Sequence, residues 1–423
     1  WMFDTVRSIF RRHGYQPIET PAIERAETLL GKYGSEADKL LYFVQSSGSL
    51  HEATWDKALR YDLTVPMARY VVRNRNSLVF PFKRYQIQNV WRGDRPQKGR
   101  YREFFQCDVD VVGSESIAHE ADLTEILYEC LTELGVKGFE IRINHRALLF
   151  GLIEHHGLSD QFGSVCVAID KLDKVGIDGV LAELEQRGID LEQGKALLSF
   201  LAAHSGLPLS TTINLGQAIA LSESGKRGVN ELKQLERFLN GRPEVLNAVN
   251  LDLTLARGLD YYTGVIWEVV VPGSGFGSIC GGGRYANLTE LFGWSGGSGV
   301  GVSLGIDRIY DVLDAAGVFQ SHVAVRQPSL LVALFDDTDR DYLMPVVTGL
   351  RKAGWACEWY EDSGDKLKKQ FAYADRKELD WVMLAGQDEK LAKQCKLKFM
   401  KTGEEFMVAI EQAELWLAGK TES

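Results

Sequence analysis

The chain is 423 residues long, 45% hydrophobic and 25% charged, with a formal net charge of −10 at pH 7. This is the make-up of a globular protein with a sizeable core and room for two or three domains. The acidic balance argues against a nonspecific nucleic-acid binder, so any nucleic-acid partner has to be gripped by local basic patches. No run approaches about twenty apolar residues and no basic, apolar and small-residue series opens the chain, so the expectation is a cytoplasmic protein without a membrane span or signal peptide. Cys107, Cys130, Cys166, Cys280, Cys357 and Cys395 include no pair at two-residue spacing, and the histidines, with His155-His156 adjacent, lack ligand spacing. Reduced thiols and no structural metal are expected.

In chain order, Trp1, Val6, Ile9 and Phe10 fall at helical intervals with arginines between them, which predicts an amphipathic helix over 1–13 ended near Gly14. The pattern is already under way at Trp1, so a preceding natural segment is expected. From Tyr15 to Pro21 two prolines hold the chain extended. The β-favouring runs Leu78-Val79-Phe80, Tyr85-Gln86-Ile87 and 104–112 flank a polar loop at Arg95-Pro96-Gln97-Lys98-Gly99, which predicts a long antiparallel hairpin. Residues 147–247 turn to helical periodicity rich in Leu and Ala, an inserted, mostly helical domain. Residues 251–255, 265–271 and 299–304 read as further strands, and a helix over 306–316 puts Ile309, Tyr310 and Leu313 on one face. Beyond Arg326-Gln327-Pro328, strands at 330–334, 355–360 and 381–384 alternate with helices at 338–353 and 365–377, the pattern of parallel βαβ units. The expected organisation is a strand-rich body of 1–146 and 248–318, interrupted by 147–247 and followed by a separate unit over 327–423.

Four segments carry residues suited to chemistry. The hairpin stretch from Arg92 to Phe104 holds five basic residues, and planar guanidinium groups bind phosphate oxygens two at a time. A solvated hairpin explains that charge as well, but Phe104, Gln106, Asp108 and Asp110 then alternate with Phe105, Cys107 and Val109. Residues two apart share a strand face, so one face presents an aromatic ring, an amide and carboxylates, and a nucleobase can stack on the ring. The second segment, Leu255-Ala256-Arg257-Gly258-Leu259-Asp260-Tyr261-Tyr262, reads by itself as a turn with core tyrosines. The third, Cys280-Gly281-Gly282-Gly283-Arg284-Tyr285, lets backbone approach a ligand closely at a strand end, or is simply a turn. In the fourth, Gly299-Val300-Gly301-Val302-Ser303-Leu304-Gly305-Ile306-Asp307-Arg308, an arginine sits in the first turn of a helix, electrostatically misplaced unless an anion compensates.

Taken in this order, the segments resemble the histidyl-tRNA synthetase family over essentially the full length. Gly14 through Pro21 looks like motif 1 of the second structural class of aminoacyl-tRNA synthetases, Arg92 through Asp110 like motif 2, and Gly299 through Arg308 like motif 3. The stretches Ala256 through Tyr262 and Gly282-Gly283-Arg284-Tyr285 resemble the two histidine-specific motifs. Ala286 departs from the acidic residue that follows in the family, and Asp94 from a more usual Glu.

The resemblance implies an α+β fold: an antiparallel-sheet catalytic domain with a mostly helical insertion, and a C-terminal α/β anticodon-binding domain. It implies a homodimer through motif 1, and ATP with Mg2+ at its phosphates, histidine and tRNA(His) as ligands. Arg92, Arg257 and Arg308 are then the catalytic residues: Arg92 and Arg257 at the α-phosphate, with Arg257 in place of a metal used elsewhere in the class, and Arg308 at the γ-phosphate. ATP is held by Arg92, Asp94, Arg100, Phe104 and Arg308, with Phe104 on adenine. Asp62, Thr64 and Gln106 belong at the α-amino end of histidine, and Asp110, Tyr262 and Tyr285 around the imidazole, with Arg257 and Tyr261 also assigned to histidine. In the last unit Lys366, Lys368 and Lys369, near Phe371 and Tyr373, suit a single-stranded RNA loop, although a solvated helix over core aromatics accounts for them nearly as well. A noncatalytic regulatory relative is expected to lose the phosphate arginines and the last unit, and a pure RNA-binding module has no use for a nucleotide and amino-acid pocket.

Overall fold

Helix α1 (Met2–Arg12) forms where the sequence spacing puts it, burying Val6, Ile9 and Phe10. Asp4 in its first turn and Arg11 and Arg12 in its last complement the helix dipole, and Gly14 leaves the helix at a φ of +80°. The computed structural model describes residues 1–32, 38–49, 55–211, 222–256, 262–321 and 328–420. It divides into two compact units, Trp1–Phe319 and Gln320–Ser423.

The first unit is built on a nine-stranded sheet. Its strands are β1 (Gln16–Pro17), β2 (Phe82–Trp91), β3 (Glu103–Val112), β4 (Glu140–His145), β5 (Leu207–Pro208), β6 (Val249–Leu251), β7 (Val265–Val270), β8 (Cys280–Tyr285) and β9 (Gly299–Gly305). They lie in the order β1-β2-β3-β9-β8-β7-β4-β6-β5, antiparallel except for β1 on β2 and β4 on β6. The expected hairpin is β2 and β3, paired from Phe82 opposite Val112 to Trp91 opposite Glu103. Leu78-Val79-Phe80 is not part of it: Val79 is 83% exposed, and the ladder starts only after Pro81, which has no N–H to donate. The run at 251–255 likewise stops at Leu251, because the Asp252 carboxylate accepts from the Thr254 backbone and hydroxyl and turns the chain.

Period-two alternation gives β3 two unlike faces. Cys107, Val109 and Val111 join the main core with Leu123, Ile126, Leu127 and Leu131 of helix α2 (Ala118–Glu133). Helices at Arg146–His155, Phe162–Ile169, Leu172–Gln186, Leu191–His204 and Glu223–Leu239 make the described residues of 147–247 mostly helical, and their apolar faces share that same core. Two of these helices meet backbone to backbone. A Cβ on Gly151 would lie 2.6 Å from the Gly225 backbone, and one on Gly228 2.6 Å from the Leu148 backbone. In helix α3 (Ile306–Ala315) Ile309 and Leu313 are buried but Tyr310 is 49% exposed, stacked on Phe319 instead of facing the core.

The second unit has five strands, β10 (Ser329–Val332), β11 (Ala356–Trp359), β12 (Trp381–Leu384), β13 (Gln394–Phe399) and β14 (Glu405–Ala409), in the order β11-β10-β12-β13-β14. The first three are the expected parallel strands, connected through helices Thr338–Lys352 and Leu367–Arg376. The antiparallel pair β13 and β14 went unread, since Lys396 and Lys398 interrupt its apolar pattern while Cys395 and Leu397 are fully buried.

Candidate active site

The face of β3 opposite the core looks onto a cleft of about 270 Å³. Asp62, Thr64, Arg92, Asp94, Arg100, Phe104, Gln106, Tyr262 and Arg308 line it, so residues far apart in sequence converge there. Arg257 and Tyr261 lie outside the described residues.

Arg92 directly follows β2 and is fixed on both sides. Its Nε donates to the Tyr61 carbonyl at 3.1 Å, and its guanidinium lies 4.2 Å from the Tyr61 ring and 5.2 Å from the Phe104 ring. Cation–π contact of this kind holds a guanidinium without consuming its charge. Arg308 projects from the first turn of α3; its Nε donates to the Gly99 carbonyl and its Nη1 to the Ser278 carbonyl, each at 2.6 Å. These bonds tie the loop of the hairpin to the segment before β8. Next to it, Asp307 accepts from the Phe105 backbone N–H at 2.8 Å, and burial pushes its carboxyl upward. At the mouth, Arg100 Nη1 lies 3.5 Å from the Asp94 carboxylate. Asp62 also lines the cleft, and its Oδ1 accepts from the Val65 N–H at 3.0 Å, satisfying a donor in the first turn of the helix Thr64–Asn74, whose N-cap is Leu63.

Gln106 Nε2 donates to Ser303 Oγ at 3.1 Å, while its buried Oε1 has no hydrogen-bond partner among the described residues. Asp110 and Tyr285 do not line the cleft. They lie beneath it, 2% and 1% exposed, with the Tyr285 hydroxyl donating to Asp110 Oδ1 at 2.6 Å. Arg84, 0% exposed, places Nη2 2.7 Å from Asp110 Oδ2. Burial raises the Asp110 carboxyl, and both Arg84 and the Tyr285 hydroxyl oppose that rise.

The glycines follow from these side chains. A Cβ on Gly301 would sit 2.0 Å from Asp110 Oδ1, one on Gly299 2.1 Å from the Tyr285 ring, and one on Gly283 2.6 Å from the Tyr262 ring. Gly282-Gly283 is thus not a strand-end turn but the middle of β8, where only hydrogen fits above the neighbouring groups. Arg284 points to the other face, where Nη2 donates to Glu120 at 2.7 Å and Nη1 to Ser298 Oγ at 2.9 Å, an anchor onto α2. Ala286 keeps its backbone N–H on Thr263 Oγ1 at 3.0 Å.

Sequence reasoning did not single out Asp307, Ser303 or Ser278 at the cleft, nor Arg84 below it. Asp307 had a visible signal, an acid beside the misplaced Arg308. Arg84 had none, because a charged residue in a hairpin ordinarily faces water. Among the described residues no group of three or more His, Cys, Asp or Glu is placed to hold a metal ion, and all six cysteines are free. No helix among the described residues is long and apolar enough to cross a membrane. In the second unit Lys369 pairs with Asp365 at 2.7 Å, and Phe371 and Tyr373 pack against a buried cluster.

Comparison with known proteins agrees with this geometry. Residues 1–309 match the family described as Histidyl-tRNA synthetase, and residues 329–420 the Anticodon binding domain. The Histidine--tRNA ligase of Phocaeicola vulgatus is 44% identical over 429 aligned residues, covering 97% of this chain and 93% of that protein. The crystal structure of histidyl-tRNA synthetase from Nostoc sp. PCC 7120 superposes with a TM-score of 0.82 at 32% identity, over 99% of this chain and 94% of that one. A structure from Bacillus halodurans described as an ATP phosphoribosyltransferase regulatory subunit/histidyl-tRNA synthetase shares the fold, with a TM-score of 0.72 at 21% identity over 88% of this chain and 91% of that one. Matched by the family over most of its length and by a relative at 44% identity, the chain belongs to the histidyl-tRNA synthetase family.

Proposed function

We propose that the protein is a histidine–tRNA ligase. It activates histidine with ATP to histidyl-adenylate, then transfers the histidyl group to the 3′ end of tRNA(His), releasing AMP and pyrophosphate. The observation that carries this reading is the single cleft in which Arg92, Arg100 and Arg308 face Asp62 and Gln106, cations for a polyphosphate beside a carboxylate and an amide for an amino acid.

In the first step the histidine carboxylate attacks the α-phosphorus and pyrophosphate leaves; in the second a terminal ribose hydroxyl attacks the adenylate carbonyl and AMP leaves. Charge builds on phosphate or carbonyl oxygen in both. Arginines held by backbone carbonyls and aromatic rings stabilise that charge without reorganising, the electrostatic preorganisation that dominates such catalysis. Arg92 and Arg257 are assigned to the α-phosphate, Arg308 to the γ-phosphate, Phe104 and Asp94 to adenine, and Arg100 to the phosphates. ATP enters as its magnesium complex. Asp62 and Thr64, with Gln106, take the α-ammonium end; Tyr262, with Asp110 and Tyr285 beneath it, reads the imidazole, and Tyr261 belongs to the same segment. Paired polar groups reject isosteres that an apolar pocket would admit. We assign residues 327–423 to the tRNA anticodon arm, a homodimer to motif 1, and the cytoplasm as the place of action.

The fold likeness to a regulatory subunit carries a second reading, and histidine-dependent ATP–pyrophosphate exchange separates the two. Exchange with histidine and with no other amino acid is expected; its absence would leave the regulatory reading. Removing residues 327–423 should cut tRNA charging far more than exchange, and equal loss of both in a folded truncation would overturn that unit's assignment.

A further inference from the structure

Two buried charged groups beneath the cleft have no role in the scheme above, Asp108 and Arg84. Two cross-strand rows run from β3 over β9 to β8, Asp108–Ser303–Gly281 and Asp110–Gly301–Gly283. In the first row Ser303 and Gly281 line the cleft, and Asp108 lies beside Ser303 on the neighbouring strand, on the same face. A Cβ on Gly281 would meet nothing nearer than 3.6 Å, so the floor is open at the Gly281 end of the row. Asp108 is 2% exposed and its Oδ1 has no hydrogen-bond partner among the described residues. Ser303 Oγ accepts from Gln106 Nε2 and faces the Asp108 carboxyl across the paired strands. A buried acceptor without a donor is costly, and a ligand N–H removes that cost.

Arg84 is the buried cation facing the buried carboxylates Asp108 and Asp110. Arg60, also buried, donates to the neutral Thr20 and Asn89 carbonyls and to Gln88 Oε1, and its charge acts on Asp108 as well.

We propose that Asp108 is a specificity-determining residue for the amino acid, accepting a ring N–H of the imidazole on its free oxygen and sharing one proton with it. Arg84 is the positioning residue that holds Asp110 in place beside it. This rests on the reading of the cleft as a histidine pocket. Burial, opposed by Arg84 and reinforced by Asp110, pushes the Asp108 carboxyl up to about 7. Free imidazole titrates near ~6.5, in the range toward which the carboxyl is raised, so one proton can lie between the two. The groups facing Asp108 are Arg84 and Gln86 from β2, Asp110 on its own strand, Ser303 from β9, and Arg60 and Asp62.

The sign follows from one shared proton. Above about pH 7.5 both free partners are largely unprotonated and binding takes a proton up; below about pH 6 both are largely protonated and binding releases one. Titrating the wild-type protein with histidine by calorimetry, in buffers of different ionisation enthalpy, should show this reversal. Histidine binding without net proton exchange across that range overturns the proposal. Failure of the wild-type protein to bind histidine or support exchange defeats the histidine reading instead. In pyrophosphate exchange, Asp108→Asn should raise the histidine KM at least about tenfold with the ATP KM within about twofold. Arg84→Met should act in the same direction and Arg84→Lys restore part of the loss. An ATP KM rising in step with the histidine KM would mark both residues as merely structural and overturn the assignment.

Discussion

The two faces of β3 are buried in opposite chemistry. Cys107, Val109 and Val111 are all 0% exposed and enter one apolar core; Asp108 and Asp110, two residues apart on the other face, are 2% exposed and carry carboxyls. Depth of burial therefore does not separate core from site here. Unfinished hydrogen bonding does: Gln106 Oε1 and Asp108 Oδ1 lack partners among the described residues, whereas the apolar face has no such demand to leave unmet.

The contrast breaks most visibly at the cleft arginines. Arg92→Ala should reduce single-turnover adenylate formation by about a hundred- to a thousand-fold, or ~3–4 kcal/mol, with a small loss of stability, and Arg92→Lys should rescue poorly because an ammonium lacks the planar two-donor grip. Near-normal adenylation at saturating ATP and histidine would remove Arg92 from the mechanism. On the opposite face the order of effects reverses. Leu127→Ala, at a position 0% exposed, should cost about 2–5 kcal/mol in urea unfolding while the folded enzyme keeps its adenylation rate.

Gly301→Ala sharpens the comparison, because it adds one methyl on the polar face where Asp110 Oδ1 lies 2.0 Å from the new carbon. Displacing that carboxylate should cost about 1–3 kcal/mol, read as a histidine KM raised about five- to a hundred-fold with little change for ATP. A histidine KM at the wild-type value would show that Asp110 does not read the substrate. The smallest effect is expected away from both faces, at the seam of α1 and α2. There His13 Nδ1 lies 2.7 Å from Asp122 and Nε2 3.1 Å from Glu129, and hydrogen bonding to Asp122, reinforced by Glu129 against burial, raises the imidazole pKa. A raised value stabilises the fold fully below the unfolded value of ~6.5 and loses that stability as pH climbs through the folded one. Unfolding of His13→Gln beside wild type should therefore differ more near pH 6 than near pH 8.5. A pH-independent difference would rule out the ionic account.

Local pattern carried much of this protein into view. The helical spacing of Val6, Ile9 and Phe10, the alternation along 104–112 and the βαβ order after Pro328 are periodicities that backbone geometry enforces over a few residues, so they were legible in the chain. So were the cleft arginines and Phe104, once the motifs were taken together. Long-range pairing was not legible. Nothing near Gly282-Gly283 says that they stand in the middle of a sheet, because what demands hydrogen there is Tyr262 and the strand β9, distant in sequence. Nothing near Arg84 says that it is buried, because its partner Asp110 reaches it only when β2 and β3 pair in register. Sequence determined which residue types lie on which face of each element. Only the tertiary structure decided which faces meet, and with that which charges lose water and must find a partner.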